Sequence, residues 1–139
     1  MPVEKKQFSL NTKGNCDVID ITHQVKDQVS QMGLKSGTVT IFVAGSTAAV
    51  TTIEFESGAV SDLKESFQRL LPDTLEYRHN ERWGDGNGHS HIRASWIGAS
   101  LTVPVYESRL LLGTWQNVVF VDFDNRPRER EVILIMNGE

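Results

Sequence analysis

The chain has 139 residues, 39% of them apolar and 23% charged, and a net charge of −4. That size and composition suit one soluble domain, residues 1–139, with a proper core. The negative balance excludes a broad nucleic-acid-binding face, which needs surplus Lys and Arg. No apolar run approaches the ~18 residues of a membrane span. The N-terminal stretch MPVEKKQFSL has charge but no apolar region, so a secretory signal is not expected. A single cysteine, Cys16, cannot pair internally and fits a reducing, cytoplasmic location.

In chain order, QFSLN (7–11) and CDVIDI (16–21) alternate apolar and polar residues around Lys13-Gly14-Asn15, which predicts a hairpin. Thr22 is placed to cap a helix running to Met32, with Val25, Val29 and Met32 on one face and Gly33 as the stop. TVTIFV is a β-branched strand, interrupted by the polar turn Ala44-Gly45-Ser46-Thr47 and resumed by AAVTTIEF. After Gly58, Val60, Leu63, Phe67, Leu70 and Leu71 recur at helical spacing until Pro72. A long irregular stretch follows. SLTVPVY and RLLLGTW then read as strands around a tight Glu107-Ser108 turn. QNVVFVDF and REREVILIM read as two more strands, separated by residues 124–127. The expected class is α+β, with mixed or antiparallel, sandwich-like sheets and two main helices. A (β/α)₈ barrel, which takes roughly 250 residues, is excluded by length, and no Gly-rich nucleotide-binding step is present.

HNERWGDGNGHSH (79–91) is the unusual segment, with three of the four histidines and three glycines that permit tight bends. His79, Asp85, Asn87, His89 and His91 supply donors, acceptors and candidate metal ligands. On a strand His89 and His91 would share a face; on a helix opening near His91 they would diverge. Their spacing matches no zincin helix, zinc ribbon or EF-hand loop. Two readings stay open at this point, a solvated loop or a site. Ala44-Gly45-Ser46-Thr47 reads as an ordinary bend or as backbone donors for an anion. Arg126, Arg128 and Arg130 at a hairpin tip read as solvated charges or as a grip on phosphate.

In combination these residues carry a resemblance. STAAVTTIE (46–54), His79, DGNGHSHIRAS (85–95), SLTVP (100–104), LLLGTWQ (110–116), the Phe123-Asp124 and Arg126-Pro127-Arg128 pattern and the terminal NGE resemble the YjbQ-like family. Its members are often labelled secondary thiamine-phosphate synthase. The resemblance implies an α+β sheet sandwich assembled as a homotrimer, with polar sites near subunit boundaries. It places the family's polar signature on Thr47, Glu54, His79, Asp85, Asn87, His91, Gln116 and Arg128. One departure is that many members read Pro-His-Thr-Thr where this chain has Ala44-Gly45-Ser46-Thr47. Gly45 thus replaces a site histidine, and His89 is a candidate compensating ligand.

The implied activity joins a pyrimidine diphosphate to a thiazole phosphate and expels diphosphate, which calls for arginines, backbone donors or a divalent cation. In that scheme His79, Asp85, His91 and Glu54 are catalytic, and Ser46, Thr47, Asn87, Gln116 and Arg128 bind substrate. His79, Asp85 and His91 also form a candidate set for Mg or Zn. Two alternatives stand beside it: a non-catalytic binder of a phosphorylated metabolite or metal, and a metal-assisted hydrolase. The expected partners are other copies of this chain and a small phosphorylated molecule, without nucleic acid or membrane.

Overall fold

The computed structural model describes residues 2–139. Its strands are β1 (Val3–Thr12), β2 (Asp17–Asp20), β3 (Gly37–Val43), β4 (Ala48–Ile53), β5 (Ser100–Tyr106), β6 (Arg109–Leu110), β7 (Asn117–Asp122) and β8 (Arg128–Gly138). Its helices are α1 (Thr22–Ser30), α2 (Ser57–Leu70), α3 (Arg78–Trp83) and α4 (Gly88–Ile97). A five-stranded sheet, β1-β8-β3-β5-β6, faces a three-stranded one, β2-β7-β4, and every pairing is antiparallel. The α+β sandwich expected from the sequence is therefore the fold.

Period-two alternation builds two apolar layers. Val118 and Phe120 of β7 point between the sheets, where they meet Val39, Ile41, Leu134 and Met136, with Val25 and Val29 of α1 closing one edge. Val119 and Val121, of opposite parity, pack with Phe67 of α2 and Ala94 of α4 on the far side of the small sheet. The order is thus large sheet, small sheet, helices.

Three expected local features come out differently. The segments around Lys13-Gly14-Asn15 do not form a hairpin, because β1 pairs with β8 and β2 pairs with β7. Instead the chain crosses from one sheet to the other there. Gly14 is left-handed (φ +80°), and a Cβ on it would stand 2.6 Å from the Arg126 carbonyl oxygen, so the crossing packs against the 124–127 turn. Residues 44–47 likewise carry the chain from β3 in the large sheet to β4 in the small one, and 123–127 carry it back from β7 to β8. Local turn signals look alike whether the next strand pairs with its neighbour or with a distant partner. Only Glu107-Ser108 (φ 50° and 64°) closes a true hairpin, β5–β6, on the left-handed dihedrals that such turns use.

The third difference is the stretch after Pro72, which holds α3 and α4 in addition to the two expected helices. Gly84 ends α3 in the left-handed conformation (φ +68°) with its N–H on the Asn80 carbonyl. The expected cap Thr22 is the first helical residue of α1. Its hydroxyl accepts the Val118 N–H at 2.9 Å and donates to Asp20 Oδ1 at 2.6 Å, which ties the helix to both β2 and β7.

Phe120 has no exposed surface and sits on the central strand of the small sheet. Phe120→Ala is expected to lower stability by about 3–5 kcal/mol, the usual cost of a large core cavity. Equilibrium urea unfolding of the two proteins checks this.

Candidate functional site

The three sheet crossings meet at one end of the sandwich: Thr12 pairs with Arg128, and both Asp17 and Ala48 pair with Asp122. Two carboxylates, Asp122 and Asp124, lie there with no side-chain exposure. Buried charge is tolerated only with matched partners. Those partners come from the start of β8, where Arg128 and Arg130 share the inward parity of Val132, Leu134 and Met136. Arg130 donates from Nε to Asp122 Oδ2 at 2.7 Å and from Nη2 to Oδ1 at 2.9 Å. Arg128 donates from Nε to Asp124 Oδ2 at 2.9 Å, with Nη2 2.7 Å from the same oxygen.

Hydroxyls complete the network. Thr12 donates to Asp122 Oδ2 at 2.6 Å. Thr47 donates to Asp124 Oδ2 at 3.1 Å and accepts from Arg130 Nη2 at 2.7 Å. The Thr47 hydroxyl, expected from the sequence to face substrate, is thus committed to supporting the ion pairs. Burial pushes the Asp124 carboxyl up. The hydrogen bonds from Arg128, the Asn125 N–H and Asn87, with the Arg128 charge, outweigh it and hold the group at about 2.

The 79–91 segment docks on this network. Asn87 Nδ2 donates to Asp124 Oδ1 at 3.2 Å, the Ser90 hydroxyl donates to the Phe123 carbonyl, and Asn125 Nδ2 donates to the Asp85 carbonyl at 2.7 Å. The three groups nominated from the sequence come together. His79 Nδ1 lies 3.4 Å from Asp85 Oδ1, and the His79 and His91 rings are 4.3 Å apart between centroids. Burial and the neighbouring His79 both hold the His91 imidazole below its ordinary value, so it is neutral near pH 7. His91 also lines a groove of ≈ 380 Å³ with Gly45, Ser46 and Ser95, where Ser46 is exposed.

The donor set does not suit a shared ion. Asp85 faces one side of His79 while His91 lies against its ring. No three His, Cys, Asp or Glu side chains among the described residues are arranged to hold a metal.

His89 is two residues from His91 on α4, so it turns to the other side of the helix. It is buried, its ring centroid 6.2 Å from that of Tyr77, with burial and then the Arg93 charge lowering its pKa. It does not take up the place left by Gly45, which Arg130 Nη1 borders instead. Glu54 and Gln116 also lie apart. Glu54 is exposed beyond the far end of β4, roughly 20 Å along the strand from Thr47 at the usual rise per residue. Gln116 donates to the Thr52 hydroxyl at that same end.

Of the supporting residues, Arg130 is offered by the sequence only as one of three arginines around Pro127, and Asp122 is not offered at all. Continuing the alternation of β8 back through Arg130 and Arg128 would have marked both arginines as inward-facing. Asp122 gives no comparable local signal.

Among the described residues, three buried side-chain atoms have no hydrogen-bond partner, His79 Nδ1, Asn87 Oδ1 and His89 Nδ1, and all lie in this one segment. His79 Nδ1 counts among them because its 3.4 Å approach to Asp85 does not meet hydrogen-bond geometry. Each such atom left unpartnered costs about 1–3 kcal/mol, so their clustering singles out this segment as the candidate site.

Together these features define a two-sheet α+β protein with a cluster of His, Asp and Arg side chains where the chain passes between its sheets. The chain belongs to the family described as UPF0047 protein YjbQ-like, whose model matches residues 6–139. It is 34% identical over 139 residues to a UPF0047 protein of Methanothermobacter thermautotrophicus, covering 100% of this chain and 95% of that one. It is 34% identical over 134 residues to the UPF0047 protein YugU of Bacillus subtilis, covering 96% and 98%. A crystal structure of a YbjQ-like protein of unknown function from Sulfolobus solfataricus superposes with TM-score 0.94 at 34% identity, over 99% of both chains. A hypothetical protein from Aeropyrum pernix gives TM-score 0.90 at 35% identity, over 98% and 99%.

The depressed Asp124 value sets an acid limb of stability. The carboxylate's contribution is present above its unfolded value of 3.8 and is lost as pH falls through about 2. Unfolding midpoints measured from about pH 5 down to pH 2 should fall in the wild type and fall less steeply in Asp124→Asn. Arg130→Met, which strands Asp122 without its partner, is expected to cost about 3–5 kcal/mol.

Proposed function

We propose that this protein is a cytoplasmic homotrimer that binds a small phosphorylated metabolite at the site formed by His79, Asp85, His91 and Arg128. The observation that carries this reading is that the three unpartnered buried polar atoms found among the described residues all belong to the 79–91 segment, two of them, His79 Nδ1 and Asn87 Oδ1, on residues that meet Asp85 and Asp124. A polar ligand seated against His79 and Asn87 would relieve part of that deficit, and a phosphate group suits the arginines nearby. No described helix is long and apolar enough to cross a membrane.

Trimer formation draws support from two features. Trp83, Trp96 and Trp115 are each more than half exposed, and Phe55 and Leu111 add to the uncovered apolar area. Glu54 and Gln116 lie far from His91 within one chain, and a neighbouring copy could bring such a second polar cluster to the groove.

Within this reading, weak thiamine-phosphate synthase activity is the transfer such a site would serve. The thiazole nitrogen of one phosphorylated substrate would bond to the methylene carbon of a pyrimidine diphosphate, as the carbon–oxygen bond to diphosphate breaks. Arginine N–H groups would stabilise the charge on the departing oxygen, and His79 or His91 would donate a hydrogen bond to it. The metal-assisted hydrolase is the less supported alternative, because His79, Asp85 and His91 do not surround a common point.

Titration calorimetry with diphosphate tests the site. His79→Ala and His91→Ala are each expected to abolish binding while changing stability by no more than about 0.5 kcal/mol, since neither side chain belongs to the core. Arg128→Lys keeps the charge but loses the planar fork, and should weaken binding by about 1.5–3 kcal/mol. Unchanged affinity in all three variants would remove this site from consideration. Light scattering is expected to give three times the 15.6 kDa monomer mass, and a monomeric mass at micromolar concentration would contradict the trimer.

A further inference from the structure

Resting on that reading of the site, the hydrogen bonds of one arginine point to the group that holds the ligand and to the ligand's chemistry. A guanidinium has five N–H donors. In Arg130 three of them are committed inside the protein: Nε and Nη2 to the two oxygens of Asp122, and Nη2 again to the Thr47 hydroxyl. Both donors on Nη1 have no partner among the described residues, and Nη1 is not sealed from solvent.

Nη1 faces Gly45. A Cβ built on that glycine would stand 3.0 Å from Nη1 and would meet no other atom within 4 Å, apart from its chain neighbours. Gly45 in turn lines the ≈ 380 Å³ groove beside Ser46 and His91. Its backbone lies outside the left-handed region, so the turn itself does not demand glycine there. What the missing side chain does is leave the Arg130 nitrogen uncovered beside Gly45, a residue of the groove wall.

The unused donors also select the ligand's shape. A planar carboxylate is gripped best by two parallel N–H groups on different nitrogens. Arg130 has no such pair left, because its Nε–Nη2 edge is taken by Asp122 and its Nη1–Nη2 edge is blocked by Thr47. A tetrahedral oxyanion can instead place one oxygen on Nη1 and others on the exposed Ser46 hydroxyl and the His91 imidazole. We propose that Arg130 Nη1, left uncovered by Gly45, anchors a phosphate-type tetrahedral oxyanion of the ligand, and that Gly45 makes this possible.

The test is titration calorimetry of the full chain with inorganic phosphate and with diphosphate, on wild type, Gly45→Ala, Gly45→Val and His91→Ala. Wild type should bind, Gly45→Ala should bind more weakly, and Gly45→Val should lose about tenfold or more, the scale of one charged hydrogen bond. Melting temperature and assembly should stay unchanged in the Gly45 variants, which leave the Asp122–Arg130 pair intact. Gly45→Ala, the smaller change, decides the matter if valine disturbs the turn. Acetate at equal concentration should fail to compete. Wild-type affinity in both Gly45 variants together with lost binding in His91→Ala would overturn the Arg130 anchor and leave the site reading standing. Equal competition by acetate would overturn the choice of a tetrahedral oxyanion. Absence of phosphate and diphosphate binding by the wild type would overturn both this inference and the site reading.

Discussion

The pairing of two fully buried aspartates with two arginines at the start of β8 is the interaction on which the rest of this structure depends. Asp122 and Asp124 sit where the chain leaves the small sheet, and Arg128 and Arg130 where it enters the large one. A buried carboxylate without a partner costs several kcal/mol, so this end of the sandwich closes in one arrangement only. Thr12 from the first crossing and Thr47 from the second hydrogen-bond to the same carboxylates. The three crossings are thereby held as a unit by polar contacts, in a place where apolar packing has run out at Val132 and Phe123.

The same network positions the site. Asn87 reaches Asp124, and Ser90 reaches the Phe123 carbonyl, so the start of α4 is fixed directly over the ion pairs. His91, one turn into that helix, is set at the groove edge, while His79 from α3 stacks on it. Arg93, on the inner side of α4, donates from Nε to the Leu71 carbonyl and from Nη2 to Gln68, which ties the helix to the end of α2. Stability and ligand recognition are therefore coupled here. The carboxylates orient the arginines, and Arg130 retains unused Nη1 donors beside Gly45.

How much of this was legible in the sequence follows from how local each signal is. The β-branched and apolar runs of β3, β7 and β8 and the helical spacing of α2 report strands and a helix directly, and the α+β class follows from them. Strand partners are not local. The polar turns at 13–16, 44–47 and 124–127 look like hairpin tips, yet each carries the chain between sheets. α4 was hidden for a different reason. Its buried positions include Gly88, His89, Ser90 and Arg93, so its inner face lacks the apolar stripe by which helices are recognised. His79, Asp85 and His91 stood out as a polar excess in a segment with little core-forming character. Arg130 did not stand out from Arg126 and Arg128, because its role depends on Asp122, across the sandwich on another strand, and on the bare backbone at Gly45.

The most direct measurement is a high-resolution crystal structure of the protein grown with diphosphate. The account predicts an anion in the groove beside Gly45, with an oxygen within hydrogen-bond distance of Arg130 Nη1 and another near His91. It also predicts that Asp122 and Asp124 keep their arginine partners. Diphosphate bound elsewhere with this groove holding only solvent, or Arg130 turned away from Asp122 to reach the ligand, would contradict it.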